Sequence, residues 1–501
     1  MKLKNLLSLA LVFVMSFSAF GCQALTGSKP VAIEDLEIPT YKDEKEMILR
    51  VDLPPNMSSR EQMELYKECG FNAIPLTEDF FSAKDIAPYM EELTKYKEAL
   101  ALWESGDKNE ETKPVEPEKP AYIRALEICE ELDIDVYIRP HHNPWVSHDP
   151  NKVIHDNNYF EEYFYNMDFR DYPAIKGIMI VDEPTWGQVT DLINRYLPWF
   201  NENYGGDRDG DGENDYEMFA NLLAAGNSIW KDKDSQTKTY EDFITRYYNE
   251  FLGAAQSTRK TISFDTYVLN NDGTNNYVSN TFLSNNVAMR GYADRFGTGF
   301  GAYIQCFTGY STLRDPASFA DFAFQVYTYL AFGADRLSFY GYRDYPPESH
   351  LMEGGVPRQK WYWVQEINTI IKKLDGLLGN FDYEGIYTNV GTGSFFEVNE
   401  AFDSIKSSAL KKLNGIKSVK SKYDAIVTQF KDANNRNGFM LVNYEEPSIN
   451  HNNKVSMEFE NADGIMYYRD GEPIIESLEN KTFNIDLKPG EGVFIIPLYK
   501  K

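Results

Sequence analysis

One repeating pattern limits what this chain can become. Short apolar runs of strand length alternate with helical segments, eight times over about 330 residues. The strand-like runs are Met47–Asp52, Asn72–Leu76, Val136–Pro140, Gly177–Val181, Met218–Leu223, Thr261–Asp265, Gly301–Gln305 and Arg336–Tyr340. Between them, segments such as 59–69, 121–132, 240–256, 316–333 and 359–378 carry helical periodicity. Parallel strands each need a crossover, so eight strand–helix units predict an α/β fold, a (β/α)8 TIM barrel over 46–380. A charged stretch over 82–120, rich in Pro towards its end, reads as a solvated excursion. Beyond about residue 385 short alternating runs such as Gly438–Asn443 and Gly492–Pro497 are separated by Gly, Asn and Asp turns. They predict a C-terminal antiparallel β-sandwich-like domain over 385–501. A Lys-rich piece at 403–422 reads as a helical insertion within it.

The first residues carry a separate message. Met1 to Gly21 reads as an export signal, with Lys2 and Lys4 ahead of an apolar stretch, Leu6 to Phe20, too short to span a bilayer comfortably. Ser18-Ala19-Phe20-Gly21-Cys22 resembles the lipobox of bacterial lipoproteins, whose cysteine is lipid-modified. That resemblance implies a lipid on Cys22, a tether over 22–45, and an extracytoplasmic protein anchored to the cell membrane at the bacterial surface. Cys69, Cys129 and Cys306 fit neither a zinc pattern nor a disulfide framework and read as buried free thiols. A formal charge of −27 argues against a nucleic-acid partner, since phosphate backbones repel such a polyanion. Nothing in the sequence sets an oligomeric state.

Barrel sites lie where the strands run out, so the residues ending each strand are read together. They are Asp52; Glu78 and Asp79; Arg139 with His141, His142 and Trp145; Asp182 and Glu183; Asn221; Asp265 with Tyr267; Gln305; and Tyr340 with Tyr342. Aromatic residues make up 15% of the chain, and rings that recur at strand ends suit stacking on a sugar face while polar groups bind its hydroxyls. Glu183 is the candidate general acid. Burial and the neighbouring Asp182 would favour its protonated form, as proton donation to a glycosidic oxygen requires. Acids also cap helix starts, so Asp182-Glu183-Pro184 has a structural alternative.

Gly177-Ile-Met-Ile-Val-Asp-Glu-Pro184 resembles the strand-four motif of clan A glycoside hydrolases, particularly the β-galactosidase-like group. Phe219–Leu223, Ile262–Tyr267, Thr328–Gly333 and Trp361–Asn368 extend the likeness over most of 45–378. The resemblance implies a glycosidase with Glu183 as acid/base and, at the end of strand seven, a nucleophilic Glu. Here that strand ends in Gln305, and no Glu lies between Gly291 and Pro347. Three alternatives stay open: Asp265 or another mouth acid such as Asp52 replaces it, strand seven is shifted, or the barrel binds glycans without cleaving them. Asp265 is the leading catalytic partner. A solute-binding lipoprotein would show two doubly wound lobes instead.

His141 and His142 are adjacent on an extended segment and point to opposite sides, so one contacts substrate and the pair shares no metal. A hard cation fits better at Asp207-Arg-Asp209-Gly-Asp211-Gly-Glu213-Asn-Asp215, which resembles the calcium loop of EF-hand and dockerin modules. Its twelfth position is Met218 where a bidentate Glu is usual, which predicts a looser, structural Ca²⁺ loop. No organic cofactor is expected.

Overall fold

The computed structural model describes residues 30–42, 47–77, 83–106, 108–139, 169–225, 237–279, 281–308, 312–344, 348–389 and 410–501. Eight parallel strands close into a barrel: β1 Ile48–Asp52, β2 Ala73–Thr77, β3 Asp135–Arg139, β4 Ile175–Asp182, β5 Glu217–Leu223, β6 Thr261–Asp265, β7 Gly299–Gln305 and β8 Arg336–Tyr340. Each pairs with its neighbour in sequence, and β8 returns to β1. The expected strands therefore exist, in order, within a few residues of their anticipated bounds.

Period-two alternation divides each strand between barrel interior and helical shell. In-register pairing aligns Ile48, Arg336 and Gly301 near the floor, then Arg50, Ser338 and Tyr303, then Asp52, Tyr340 and Gln305 at the mouth. Leu49, Val51, Leu337 and Phe339 alternate with them and join the core beneath the helices. The floor carries a buried ion pair, Arg336 Nη2 to Glu217 Oε2 at 2.5 Å, with the guanidinium 4.1 Å above the Phe219 ring. Strand β4 breaks the alternation. Its pairing with β5 passes from Met179–Phe219 to Val181–Ala220, leaving Ile180 as the extra residue of a bulge. The phase shift turns Asp182 to the side that Met179 faces.

Nine further strands form the C-terminal domain: β9 Phe381–Asn389, β10 Ile416–Ser421, β11 Ala425–Asp432, β12 Asn437–Asn443, β13 Asn453–Phe459, β14 Gly464–Arg469, β15 Glu472–Ser477, β16 Thr482–Leu487 and β17 Gly492–Leu498. They make a six-stranded sheet, ordered β9-β11-β12-β17-β14-β15, and a three-stranded sheet, β10-β13-β16. In β17, Val493 and Ile495 enter the sandwich core, while Phe494, Ile496 and Leu498 join the core shared with the barrel helices. A sheet covered on both faces explains why this run is apolar without alternation.

Three segments depart from expectation. Residues Ala83–Ser105 of the supposed excursion form a helix. Within 403–422, the part over Ile416–Ser421 is a strand, paired antiparallel with β13 at the edge of the three-stranded sheet. Residues 30–42 of the supposed tether are docked: Leu36 is fully buried, bridges to Lys500, and Glu37 N–H donates to Tyr499 O at 2.8 Å. Cys22 and the rest of 1–29 lie outside the described residues. No helix among the described residues is long and apolar enough to cross a membrane. Cys69, Cys129 and Cys306 are free and buried.

Candidate active site at the barrel mouth

The site rests on a layer of opposite charges. Asp52, 1% exposed, accepts from Arg139 Nη1 at 3.1 Å, Tyr303 Oη at 3.1 Å and Arg50 Nη2 at 3.3 Å. Arg50 also donates to Ser338 Oγ at 2.8 Å and to Tyr303 Oη at 2.5 Å. Burial opposes the Arg139 charge, but Asp52 and Asp182 more than offset it and hold its pKa above the ordinary value. The structure thus corrects the expectation that Asp52 binds substrate or serves as base, because its oxygens are covered and committed below the mouth. Arg50 and Tyr303 escaped sequence reading. Their signal was present, as a charge inside the apolar run Met47–Asp52 and a tyrosine two residues before Gln305 on the same face.

Above this layer three acids meet. The β4 bulge brings Asp182 inward, where Oδ2 accepts from Arg139 Nη2 at 2.9 Å and Oδ1 from Asn221 Nδ2 at 2.9 Å. Its side chain keeps 32% exposure. Glu183 follows in the left-handed region, φ +47°, with its N–H donating to Asn221 O at 2.8 Å. A glutamate at positive φ is uncommon, and such backbone strain clusters at functional sites. The helix-cap alternative does not hold. Thr185 caps the helix Trp186–Asp191 through a reciprocal box with Gln188, so neither Asp182 nor Glu183 is spent there.

Asp265, 8% exposed at the end of β6, hydrogen-bonds the Glu183 carboxyl directly. Two carboxyls in such contact must share a proton. Burial, then the Glu183 and Asp182 charges, push the Asp265 pKa well above the carboxylate range. Burial and Asp182 also raise Glu183, partly offset by the bond to Asp265 and by Arg139. Asn221 is 2% exposed and donates also to Asp265 Oδ1 at 3.3 Å, while Ser263 Oγ donates to Asn221 Oδ1 at 3.2 Å. Its role is to set the three acids, which corrects the expectation of direct substrate contact. Asp265 likewise does not face Glu183 across a gap that a glycosidic bond could occupy.

An aromatic wall completes the mouth. Tyr267 and Tyr340 are partly exposed, with ring centroids 6.3 Å apart, and both rest edge-on against Phe307 at 4.9 and 5.0 Å. Gln305 is corrected outright. It is fully buried, its Oε1 accepts from Leu269 N–H at 2.9 Å, and its Nε2 donates to Leu269 O, Phe307 O and Arg314 O. Its amide braces the loops after β6 and β7 and has nothing left for a ligand. Tyr342 is corrected too: fully buried, it packs edge-on to Tyr66 at 5.3 Å and accepts from Trp361 Nε1 at 3.2 Å. His141, His142 and Trp145 lie outside the described residues, as do Glu78 and Asp79.

Away from the mouth, ligand atoms of Asp207, Asp209 and Asp211 come within 4.8 Å of one another on an exposed loop. Gly210 and Gly212, both at positive φ with open space around them, allow the chain to curl there. Glu213 and Asp215 do not join that group. Asp215 Oδ2 instead accepts from Arg208 N–H at 2.9 Å.

No family model and no curated protein matches the sequence. Among solved structures the chain is similar to a β-galactosidase from Bacillus circulans sp. alkalophilus, at 9% identity and TM-score 0.47, covering 91% of this chain and 100% of that one. It is also similar to a family 39 glycoside hydrolase from Bacteroides cellulosilyticus WH2, at 10% identity and TM-score 0.45, covering 92% and 83%. A third is the endo-β-1,4-mannanase from Thermotoga petrophila, at 9% and 0.37, covering 87% and 98%. The barrel itself stands on its own closed strand order.

Proposed function

We propose that this chain is a glycoside hydrolase in which Glu183 protonates the departing glycosidic oxygen. One observation carries the reading: Glu183 and Asp265, two carboxyls in contact, open onto a mouth walled by two part-exposed tyrosines. A half-buried carboxyl in contact with Asp265, its pKa raised by burial and by Asp182, holds its proton longer than an ordinary glutamate, as general acid catalysis needs. Asp265 keeps Glu183 supplied with its proton, and Arg139 and Asp182 are placed to meet sugar hydroxyls. The proposal extends to a lipid anchor at Cys22, to a protein working outside the cytoplasm, and to a structural Ca²⁺ held by Asp207, Asp209 and Asp211.

The test is hydrolysis of a panel of oligo- and polysaccharides by the wild type and by Glu183→Gln. Turnover confined to the wild type supports the acid assignment; equal turnover by the variant removes it. A second reading, a non-catalytic glycan binder, is favoured by Gln305, whose amide is consumed in the loop where a nucleophilic carboxylate would be expected. Binding of several glycans with cleavage of none would establish it.

A further inference from the structure

The loop after β8 carries a histidine that the acid chemistry of the mouth does not use. His350 is fully buried, and its ring packs edge-on against Tyr340, with centroids 5.7 Å apart, and against Phe307, at 6.2 Å. Those two rings, with Tyr267, make the aromatic wall. Tyr340 is also within electrostatic reach of Arg139, which places it beside the charged layer of the site. Both ring nitrogens of His350 meet acceptors: Nδ1 lies 2.7 Å from Arg343 O, and Nε2 lies 2.9 Å from Glu348 Oε2. A carbonyl and a carboxylate can only accept, so a neutral imidazole of either tautomer leaves one pair of lone pairs face to face. The contacts close only with a second proton between Nε2 and Oε2, as an imidazolium on a carboxylate or an imidazole on a carboxylic acid. Side-chain exposures of 0% and 10% leave little water to take over if that bond is lost. The neighbouring charges have partners of their own. Lys360 donates to Asp315 Oδ1 at 2.6 Å and to Ser349 O at 2.7 Å. Arg358 pairs with Asp344 and Glu353 and donates to Ser349 Oγ at 3.0 Å.

We propose that the proton between His350 and Glu348 sets the Tyr340 ring for sugar stacking, so that glycan binding weakens as rising pH removes that proton. The inference rests on the hydrolase reading for its ligand, a sugar unit laid against Tyr340. His350 is a positioning residue: it acts through the ring it backs and not on the reacting atoms. Without the proton, Nε2 and Oε2 repel, His350 shifts from the two rings it supports, and the wall loses its backing. Ser349, held by Lys360 and Arg358, anchors the segment between the two members of the pair, so the strain falls on the His350 ring. The carboxyls of Glu183 and Asp265 govern the chemical step, whereas this proton governs binding, and pH separates the two.

The test measures affinity across pH on Glu183→Gln, with the glycoside that the wild type cleaves best as the probe. Its Kd should rise by roughly three- to tenfold as pH increases, the worth of one well-placed ring contact. The rise should follow the titration of His350, read by imidazole nitrogen NMR of the histidine-labelled chain. His350→Gln, its fold verified by circular dichroism, identifies that signal and should hold Kd at the weak, high-pH value. Glu348→Gln, whose amide can donate to a neutral Nε2, should keep Kd tight and independent of pH. A Kd indifferent to pH, or a rise that does not follow His350 or survives Glu348→Gln, overturns the inference and leaves the hydrolase standing. Cleavage of no glycoside by the wild type overturns the hydrolase reading itself, and the protein alone then decides the rest. The Tyr340 signal of the tyrosine-labelled chain, identified with Tyr340→Phe, should follow the His350 titration; a Tyr340 signal that stays fixed removes the positioning role.

Discussion

The barrel buries ionisable groups at both ends, by opposite rules. At the floor Arg336 and Glu217 neutralise each other, both 1% exposed, with the guanidinium laid on Phe219. At the mouth Glu183 and Asp265, two groups of the same sign, are brought together and can coexist only around a proton. Breaking the floor pair leaves an uncompensated buried charge; breaking the mouth pair relieves one. The first arrangement serves the fold, whereas the second costs the fold something and, on the proposed reading, serves chemistry. Stability and activity should therefore respond in opposite senses at the two ends.

The sharpest contrast comes from the acid. Glu183→Gln is expected to lower kcat/KM by about 10²–10⁴-fold in a hydrolysis assay, with Tm unchanged or raised. A lower Tm with residual activity would reverse the assignment of the two ends. At the floor, Glu217→Ala should cost about 3–5 kcal/mol in a denaturant or thermal melt, because Arg336 is stranded. Activity per folded molecule should stay close to wild type, and a selective loss would tie the floor to chemistry.

Asp265→Asn probes the pair by pH. Both folded pKa values are raised, so the wild type is fully stabilised below the unfolded carboxyl range and loses stability as pH rises through the folded values. The variant should be more stable on the order of 1–2 kcal/mol at pH 8, with the gap closing near pH 4. The basic limb of the wild-type kcat/KM profile should move in the variant; an identical limb would detach Asp265 from the acid. The smallest effect is expected on the surface. EGTA should lower Tm by a few degrees through loss of a cation bound only to the folded loop, and Asp209→Ala should abolish that response. A melt indifferent to both would remove the calcium proposal.

Much of the scaffold was legible because barrel strands are fixed by apolar runs and period. The sandwich was legible from its turns. What escaped were features set by register and by long-range pairing. The β4 bulge is invisible in Gly177–Asp182, since nothing in that run names Ile180 as the extra residue. Gln305 looked like a site residue because it ends a strand, yet the loops bending over it decide where its amide points. Tyr342 was misplaced for a related reason: two residues beyond β8 the chain has already turned back to meet Trp361. Glu183 and Asp265 could be named as acids from the sequence. Their direct contact needed β4 and β6 brought to the same rim.

The docked segment ahead of β1 has a geometric consequence. It joins the barrel on the floor side, where Met47 N–H meets Asp375 at 2.5 Å near the end of the helix Gln359–Leu378, and Tyr41 packs on Phe381. It then follows the β-domain to Val31, whose carbonyl accepts from Ser477 Oγ. From Pro30 back to Cys22 an extended chain reaches at most about 28 Å. A lipid on Cys22 would thus hold the molecule with its floor towards the bilayer. A quencher confined to the lipid should dim a fluorophore on Lys372 and spare one on Arg343; the reverse would invert the orientation. Held this way up, the acid pair would look outward, and the glycans proposed as its substrates would be those arriving from the surroundings and not those rooted in the same membrane.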